Sequence, residues 1–327
     1  MVKKECFYDN LEKLIEKEYK NIAGIVALKD DKVIYENYFN GHKKEDTIHV
    51  ASVTKSVLSA LIGIAIDKGF IKSVNEKIAG FFPEYDSELK DKKKRDVTIK
   101  HLLTMTAPYT YKIEPFKELC LSSDWVKYAL GLLGGKDESG TFKYSTAGAH
   151  LLSAILTKTT GKTAREFANE HLFEMVGMNK LPNYEMTSEN YMDFINSKNI
   201  LGWVSDPKGY STGGWGITLS AVDMARFGNL YLNHGKWKGK QIISPKWIDE
   251  STKEHSRWDK LAYGYLWWII DDKEHVYAAL GDGGNVICCM PERNIVISIV
   301  SEFMFKPKDR MELIKNYILP LLKKKSK

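Results

Sequence analysis

HVASVTKSVLSALIGIAIDKGF, residues 49–70, sets a serine, Ser52, three positions before a lysine, Lys55, at the head of an apolar run. Residues three apart on a helix share a face and can touch, so the Ser52 hydroxyl and the Lys55 amine are expected side by side. Val57, Leu58, Leu61, Ile62, Ile64, Ala65 and Ile66 are too apolar all round for a surface helix and predict one threaded through the core. Gly69 marks its end. A serine hydroxyl is a weak nucleophile until a base stands beside it, and a lysine becomes that base when burial or a neighbouring cation disfavours its charged form. The helix N-terminus adds N–H groups and a positive dipole end, which favour the oxyanion formed when a carbonyl is attacked. Taken alone, the same residues also read as a first-turn serine and a lysine snorkelling off a core helix.

On the N-terminal side, residues 8–21 read as a helix, followed by strand-like runs Ile22 to Lys29 and Lys32 to Phe39, joined at Asp30-Asp31 as a hairpin. Strand character returns only near the other end, at Tyr263 to Ile270, His275 to Leu280, Asn285 to Met290 and Asn294 to Ser301, before an amphipathic helix from about Asp309 to Leu322. The middle is helical, over about 98–106, 123–133, 146–160 and 221–233. Start signals can be named: Thr163 with Glu166, Ser220 with Asp223, and Ser244 before Pro245. The expected architecture is therefore α+β. One antiparallel sheet is shared by residues 1–70 and 205–327 with flanking helices, a mainly helical domain over 71–204 is inserted, and the Ser52 helix lies at the seam.

Composition narrows the function. At 327 residues, 43% apolar and 28% charged, the chain can bury a large core, and it looks like an ordinary globular protein. The formal charge of +6 collects in Lys90 to Arg95 and in Lys323, Lys324, Lys325 and Lys327, without the interleaved aromatics of a nucleic-acid surface. No apolar run is long enough to span a bilayer, and MVKKECFYDN lacks the apolar core of a signal peptide. The four cysteines, Cys6, Cys120, Cys288 and Cys289, are irregularly spaced, and neighbours on a strand point to opposite faces. A reduced, cytoplasmic protein is expected. Its oligomeric state is left open.

Several motifs fail on inspection. Thr160-Gly-Lys-Thr163 resembles the end of a phosphate loop, but Leu156 stands where the first glycine belongs. No HExxH or CxxC occurs and the eight histidines lack ligand spacing, so no metal and no cofactor are expected. His101 and His150 read as packing or capping residues. Gly209-Tyr-Ser211-Thr-Gly213 matches the nucleophile elbow of α/β-hydrolases, but Pro207 before it and Gly213, Gly214 and Gly216 mark a loop instead of a strand-turn-helix.

Two other stretches complete a constellation. Gly140 to Leu152 delivers Tyr144, Ser145 and Thr146 just before an apolar helix, and a phenol hydrogen-bonded to a lysine can relay a proton to a leaving group. Ala279 to Asn285 is glycine-rich between two strands, where a strand edge can approach a substrate and offer N–H groups. Singly, these read as a half-buried aromatic and a hairpin turn.

In this order the three stretches resemble the serine β-lactamase and penicillin-binding-protein superfamily, in its class C-like branch of esterases, D-aminopeptidase-like proteins and aminohexanoate-oligomer hydrolases. Thr98 to Thr106, Trp215 to Gly228, Tyr263 to Trp268 and Pro291 to Asn294 look like the branch too, so the resemblance covers roughly 22–303. It implies Ser52 as nucleophile, Lys55 as its base and Tyr144 as general acid/base partner. The backbone N–H groups of Ser52 and Asn285 would form the oxyanion hole, with Thr146, Trp215, Asp282, Gly283 and Gly284 at the substrate. The reaction implied is hydrolysis of a small ester, amide or peptide-like molecule through an acyl-Ser52. Two positions depart from the pattern. Tyr144-Ser145-Thr146 replaces the usual Tyr-x-Asn, and Asp282-Gly283-Gly284 replaces Lys-Thr-Gly or His-x-Gly. An ionised Asp282 repels a substrate carboxylate where a cation would attract it, which predicts weak turnover of penicillins and cephalosporins. Two alternatives stand beside this one: a β-lactam-binding or sensor protein without efficient turnover, and an α/β-hydrolase using Ser211 with His234, His255 or His275.

Overall fold

The computed structural model describes residues 8–135, 139–187 and 189–323. Cys6 and the tail lysines Lys324, Lys325 and Lys327 lie outside the described residues.

The hairpin at Asp30-Asp31 forms because both residues adopt positive φ, 50° and 61°, which aspartate tolerates better than most residues. It joins β1 (Ile22–Lys29) to β2 (Lys32–Tyr38). Six strands from the far end of the chain complete an eight-stranded antiparallel sheet: β3 (Ser256–Trp258), β4 (Leu261–Tyr263), β5 (Trp268–Asp271), β6 (Val276–Gly281), β7 (Asn285–Met290) and β8 (Ile295–Ser301). The order is β2-β1-β8-β7-β6-β5-β4-β3, so the first strand lies against the last, with Ile22 opposite Ser301 and Lys29 opposite Ile295. The α+β fold with its shared sheet is thus as expected, and two details differ. The run Tyr263 to Ile270 is two strands, because Tyr265 and Leu266 turn their N–H groups out of the ladder to the carbonyls of Ser251 and Leu103, at 2.9 and 3.0 Å, with Leu266 at φ 61°. The short edge strand Ser256–Trp258 has too little pattern to be read in sequence.

Strand alternation divides the apolar residues between two cores. Ile295, Ile297 and Ile299 of β8 face a core closed by Leu11 and Ile15 of α1 (Asp9–Glu18) and by Leu313, Ile314 and Ile318 of the C-terminal helix, while Val296 and Val300 face the larger core on the opposite side. Cys288 and Cys289 divide the same way, and burial pushes both thiols up, that of Cys288 to about 12. The C-terminal helix starts at Arg310–Leu313, passes through a π-turn at Ile314–Ile318 and ends with Leu319–Lys323.

The larger core runs from the sheet through α2 (Val53–Asp67) into α3 (Thr146–Thr160) and α4 (Ala221–Leu232). From Val53 to Ala65 every residue of α2 is buried, the polar Thr54, Lys55, Ser56 and Ser59 along with the apolar run that the sequence predicts for the core. One side of α2 meets α3 and the other meets β6 and β7. Among the described residues no helix is long and apolar enough to cross a membrane.

Candidate active site

The turn into α2 is fixed before the helix begins. Ile48 and His49 pair with Leu219 and Thr218, Val50 N–H donates to Ile217 O, and Ala51 is held at φ 49°. Ser52 then occupies the N-cap position, yet its hydroxyl caps no N–H of the helix. It accepts instead from Lys55 Nζ at 3.2 Å. Lys55 is 1% exposed, and its amine also reaches Gly214 O at 2.8 Å and Thr146 Oγ1 at 3.4 Å. These three contacts hold the amine in place beside the serine. Among the described residues no carboxylate forms an ion pair with it.

Tyr144 meets Lys55 through its ring face, with Nζ 4.7 Å from the ring centre, rather than through its hydroxyl. The phenol–lysine hydrogen bond expected from sequence is therefore absent among the described residues. The ring is held by stacking on Trp268, with centroids 6.0 Å apart and planes 15° apart, and by an edge contact to Tyr263.

The N-terminus of α3, next to Tyr144, is held by Glu114, a residue that sequence reasoning missed. Its carboxylate accepts from Thr146 N–H at 2.9 Å, Ala147 N–H at 2.7 Å and the Ser145 hydroxyl at 3.0 Å. An anion at this end complements the helix dipole and satisfies orphan donors. Nothing in Lys112-Ile-Glu114-Pro115 signals this, because the partner lies 32 residues away. Gly214, whose carbonyl holds Lys55, was equally invisible, since the group involved is backbone.

The third stretch splits. Gly281 approaches the start of α2 so closely that a Cβ there would lie 2.2 Å from Val50 O and 3.3 Å from Ser52 N. Gly281 and Asp282 line the cleft above Ser52. Gly283, Gly284 and Asn285 line only a neighbouring cavity of about 230 Å³ beside Arg310, which Gly281 and Asp282 border as well. Asn285 is fully engaged there, its Nδ2 donating to Asp282 O at 2.9 Å and its Oδ1 accepting from Ser301 N–H at 3.0 Å. Behind the turn, Asn21 Nδ2 donates to Gly283 O and Glu302 O, both at 2.7 Å, while Asn21 Oδ1 accepts from Arg310. Asn285 therefore lines this cavity and neither part of the space around Ser52, and the strand edge beside the serine is Gly281-Asp282.

Ser52, Glu114, Thr146 and Asp282 border two lobes of one cleft. The first, about 690 Å³, has Tyr111, Lys112, Lys143, Tyr144, Trp258 and Trp268 in its walls. The second, about 390 Å³, is formed by Ile113, Phe116, Tyr191, Met192, Ile195 and Trp215. His49 also borders this lobe, enclosed by Phe194 and Trp215, and burial pushes its imidazole down to about 3.

Ser211 has a structural place. It is buried, its hydroxyl accepts from Arg165 N–H at 3.1 Å, and its carbonyl accepts from Ser153. His234, His255 and His275 are engaged with Asp249, Glu250 and Thr252, and among the described residues none of the three hydrogen-bonds to Ser211. His101 caps its own helix with Thr98, and His150 pairs with Asp206 in the core at 3.1 Å.

The beta-lactamase family profile matches residues 11–319. The 6-aminohexanoate-dimer hydrolase of Paenarthrobacter ureafaciens is 20% identical over 305 residues, spanning 85% of this chain and 72% of its own. A candidate 6-aminohexanoate-dimer hydrolase from Bacillus anthracis superposes with a TM-score of 0.76 at 21% identity, covering 97% of this chain and 82% of its own. EstCE1, a hydrolase with promiscuous acyltransferase activity, gives 0.71 at 18% identity over 94% and 96% of the two chains. Structural likeness at such identities carries the fold alone.

Proposed function

The chain belongs to the beta-lactamase family, and on that premise we propose that it is a serine hydrolase cleaving an ester or amide bond through an acyl-Ser52 intermediate. The observation that carries this reading is the buried Lys55 amine, 3.2 Å from Ser52 Oγ in the cleft floor and free of any carboxylate partner among the described residues. In its neutral form that amine takes the Ser52 proton as Oγ attacks the substrate carbonyl carbon. Charge collects on the carbonyl oxygen, where the Ser52 N–H and the N-terminal end of α2 stabilise it.

Asp282 N–H supplies the second donor. Gly281 pairs with Asn285 and accepts from Gly284 N–H across the turn, so its polar groups face β7. Successive strand residues turn their N–H groups to opposite sides, which directs that of Asp282 to the open edge beside Ser52. Tyr144, whose ring lies against Lys55 and which lines the cleft, is the general acid in this reading and passes the proton to the leaving group. The carbonyl–leaving-group bond breaks, and water then attacks the acyl-Ser52 ester, returning the proton to Ser52 and releasing the acid.

Small esters and amides without a carboxylate near the scissile bond are the preferred class, because Asp282 opposes a second negative charge. The activity named for the Paenarthrobacter relative supports amide cleavage. The test is hydrolysis of p-nitrophenyl acetate and butyrate, with nitrocefin alongside, by the wild type, Ser52→Ala and Ser211→Ala. Loss only in Ser52→Ala is expected; full activity in that variant refutes the proposal. A single stoichiometric burst without turnover would make the protein a sensor. Asp282→Lys is expected to raise the nitrocefin-to-ester ratio by about tenfold, a difference of roughly 1.4 kcal/mol, and an unchanged ratio would remove the charge argument.

A further inference from the structure

Resting on the acyl-Ser52 reading, we propose that the acyl half of the substrate is an apolar chain bearing no carboxylate, held in the lobe between Phe116, Ile195 and Trp215, and that the leaving group occupies the lobe beside Tyr144.

The direction of proton transfer sets the orientation. Acylation forms the Ser52 Oγ–carbonyl bond and breaks the bond to the leaving group, which must gain the proton Ser52 gives up. Tyr144 lines the 690 Å³ lobe with Trp268, so the departing atom lies on that side and the acyl chain is directed into the 390 Å³ lobe.

The walls of that second lobe match an apolar chain without a carboxylate. No lysine or arginine lines it among the described residues; Lys112 and Lys143 both border the other lobe. Three of its polar groups are already occupied, Glu114 by the N-terminus of α3, Thr146 Oγ1 by Lys55, and His49 Nε2 by Gly216 N–H at 3.3 Å, while the buried Trp215 Nε1 is an unpartnered but uncharged donor. A carboxylate at the far end of an acyl chain would find no cation there, and Asp282 would repel it. The apolar wall continues past the mouth, where Ile113 is 88% exposed and Met192 and Phe303 are also exposed. A chain longer than the lobe keeps apolar contact as it leaves.

The test is a p-nitrophenyl ester series from acetate to octanoate, with the adipate monoester compared to hexanoate. Burial of a methylene raises kcat/KM by up to about fourfold, so the wild type is expected to gain about tenfold or more from acetate to hexanoate and to favour hexanoate over the adipate monoester. Ile195→Trp is expected to lower the hexanoate-to-acetate ratio by about tenfold, while Trp258→Ala in the other lobe leaves that ratio unaltered. A flat series, a preference for the adipate monoester, or a ratio that follows Trp258 and not Ile195 overturns the assignment. If any of these occurs while Ser52→Ala abolishes turnover, the lobe assignment alone fails; if Ser52→Ala retains turnover, the acyl-Ser52 reading fails with it.

Discussion

Replacing Asn21 by alanine removes the brace behind the Asp282–Gly284 turn. Asn21 is buried, donates to Gly283 O and Glu302 O, and accepts from Arg310. Arg310 is itself 3% exposed, has no carboxylate partner among the described residues, leaves its Nε unpartnered, and otherwise meets Lys308 O at 3.0 Å and the Tyr19 ring at 5.2 Å. Burial already pushes the guanidinium down to about 10. Two neutral hydrogen bonds at ~1 kcal/mol each and one charged bond at ~2 kcal/mol give an expected cost of about 4 kcal/mol. Urea unfolding followed by tryptophan fluorescence reads it, with the m-value unchanged. Because Gly283 adjoins Asp282, kcat should fall more than KM rises. The double variant Asn21→Ala/Arg310→Met separates the charged bond from the rest. Removing a cation that has already lost its acceptor costs less than removing it from the intact brace, so the two changes should be non-additive by about 2 kcal/mol. A cost under about 1 kcal/mol for Asn21→Ala, or additive single changes, would refute the reasoning.

Gly281→Ala puts a methyl 2.2 Å from Val50 O, so the strand must retreat from Ser52; ester kcat is expected to drop about 100-fold in protein that still folds by circular dichroism. Glu114→Gln weakens three contacts to the start of α3 and should destabilise by about 2 kcal/mol in chemical denaturation. His49 gives a pH signature. Its native imidazole is held at about 3 against 6.5 when unfolded, so between those values the unfolded chain carries the extra proton and stability falls as pH falls. The loss between pH 6.5 and 5 should be about 2 kcal/mol, and His49→Phe should flatten that slope.

The sheet and the Ser52 helix were legible because each rests on local pattern: a short β-branched apolar run in β8, apolarity all round α2 from Val57 onward, and a three-residue spacing that placed Ser52 and Lys55 together. What sequence could not give was long-range and often backbone. The Gly214 carbonyl on Lys55, the Glu114 carboxylate on α3 and the Asn21 brace each join segments that no local signal connects. The place of Asn285 in the neighbouring cavity has the same origin. Counting residues along the glycine-rich stretch does not reveal which side of the turn faces the serine; the pairing of Gly281 with Asn285 does.

The neighbouring of β1 and β8 bears on how the protein is made. At ribosomal rates of about 5–20 residues per second, strand β1 and the Ser52 helix emerge roughly 15–50 s before the strand that pairs Lys29 with Ile295. Until then the nascent chain carries an unpaired β1 edge and a largely apolar helix without its sheet wall, both prone to misassociation. A polypeptide stopped short of Ile295 would hold Ser52, Lys55 and Tyr144 yet lack the strand joining the N-terminal hairpin to β7. Hydrolytic competence therefore arrives late in translation, when the final strand closes the sheet.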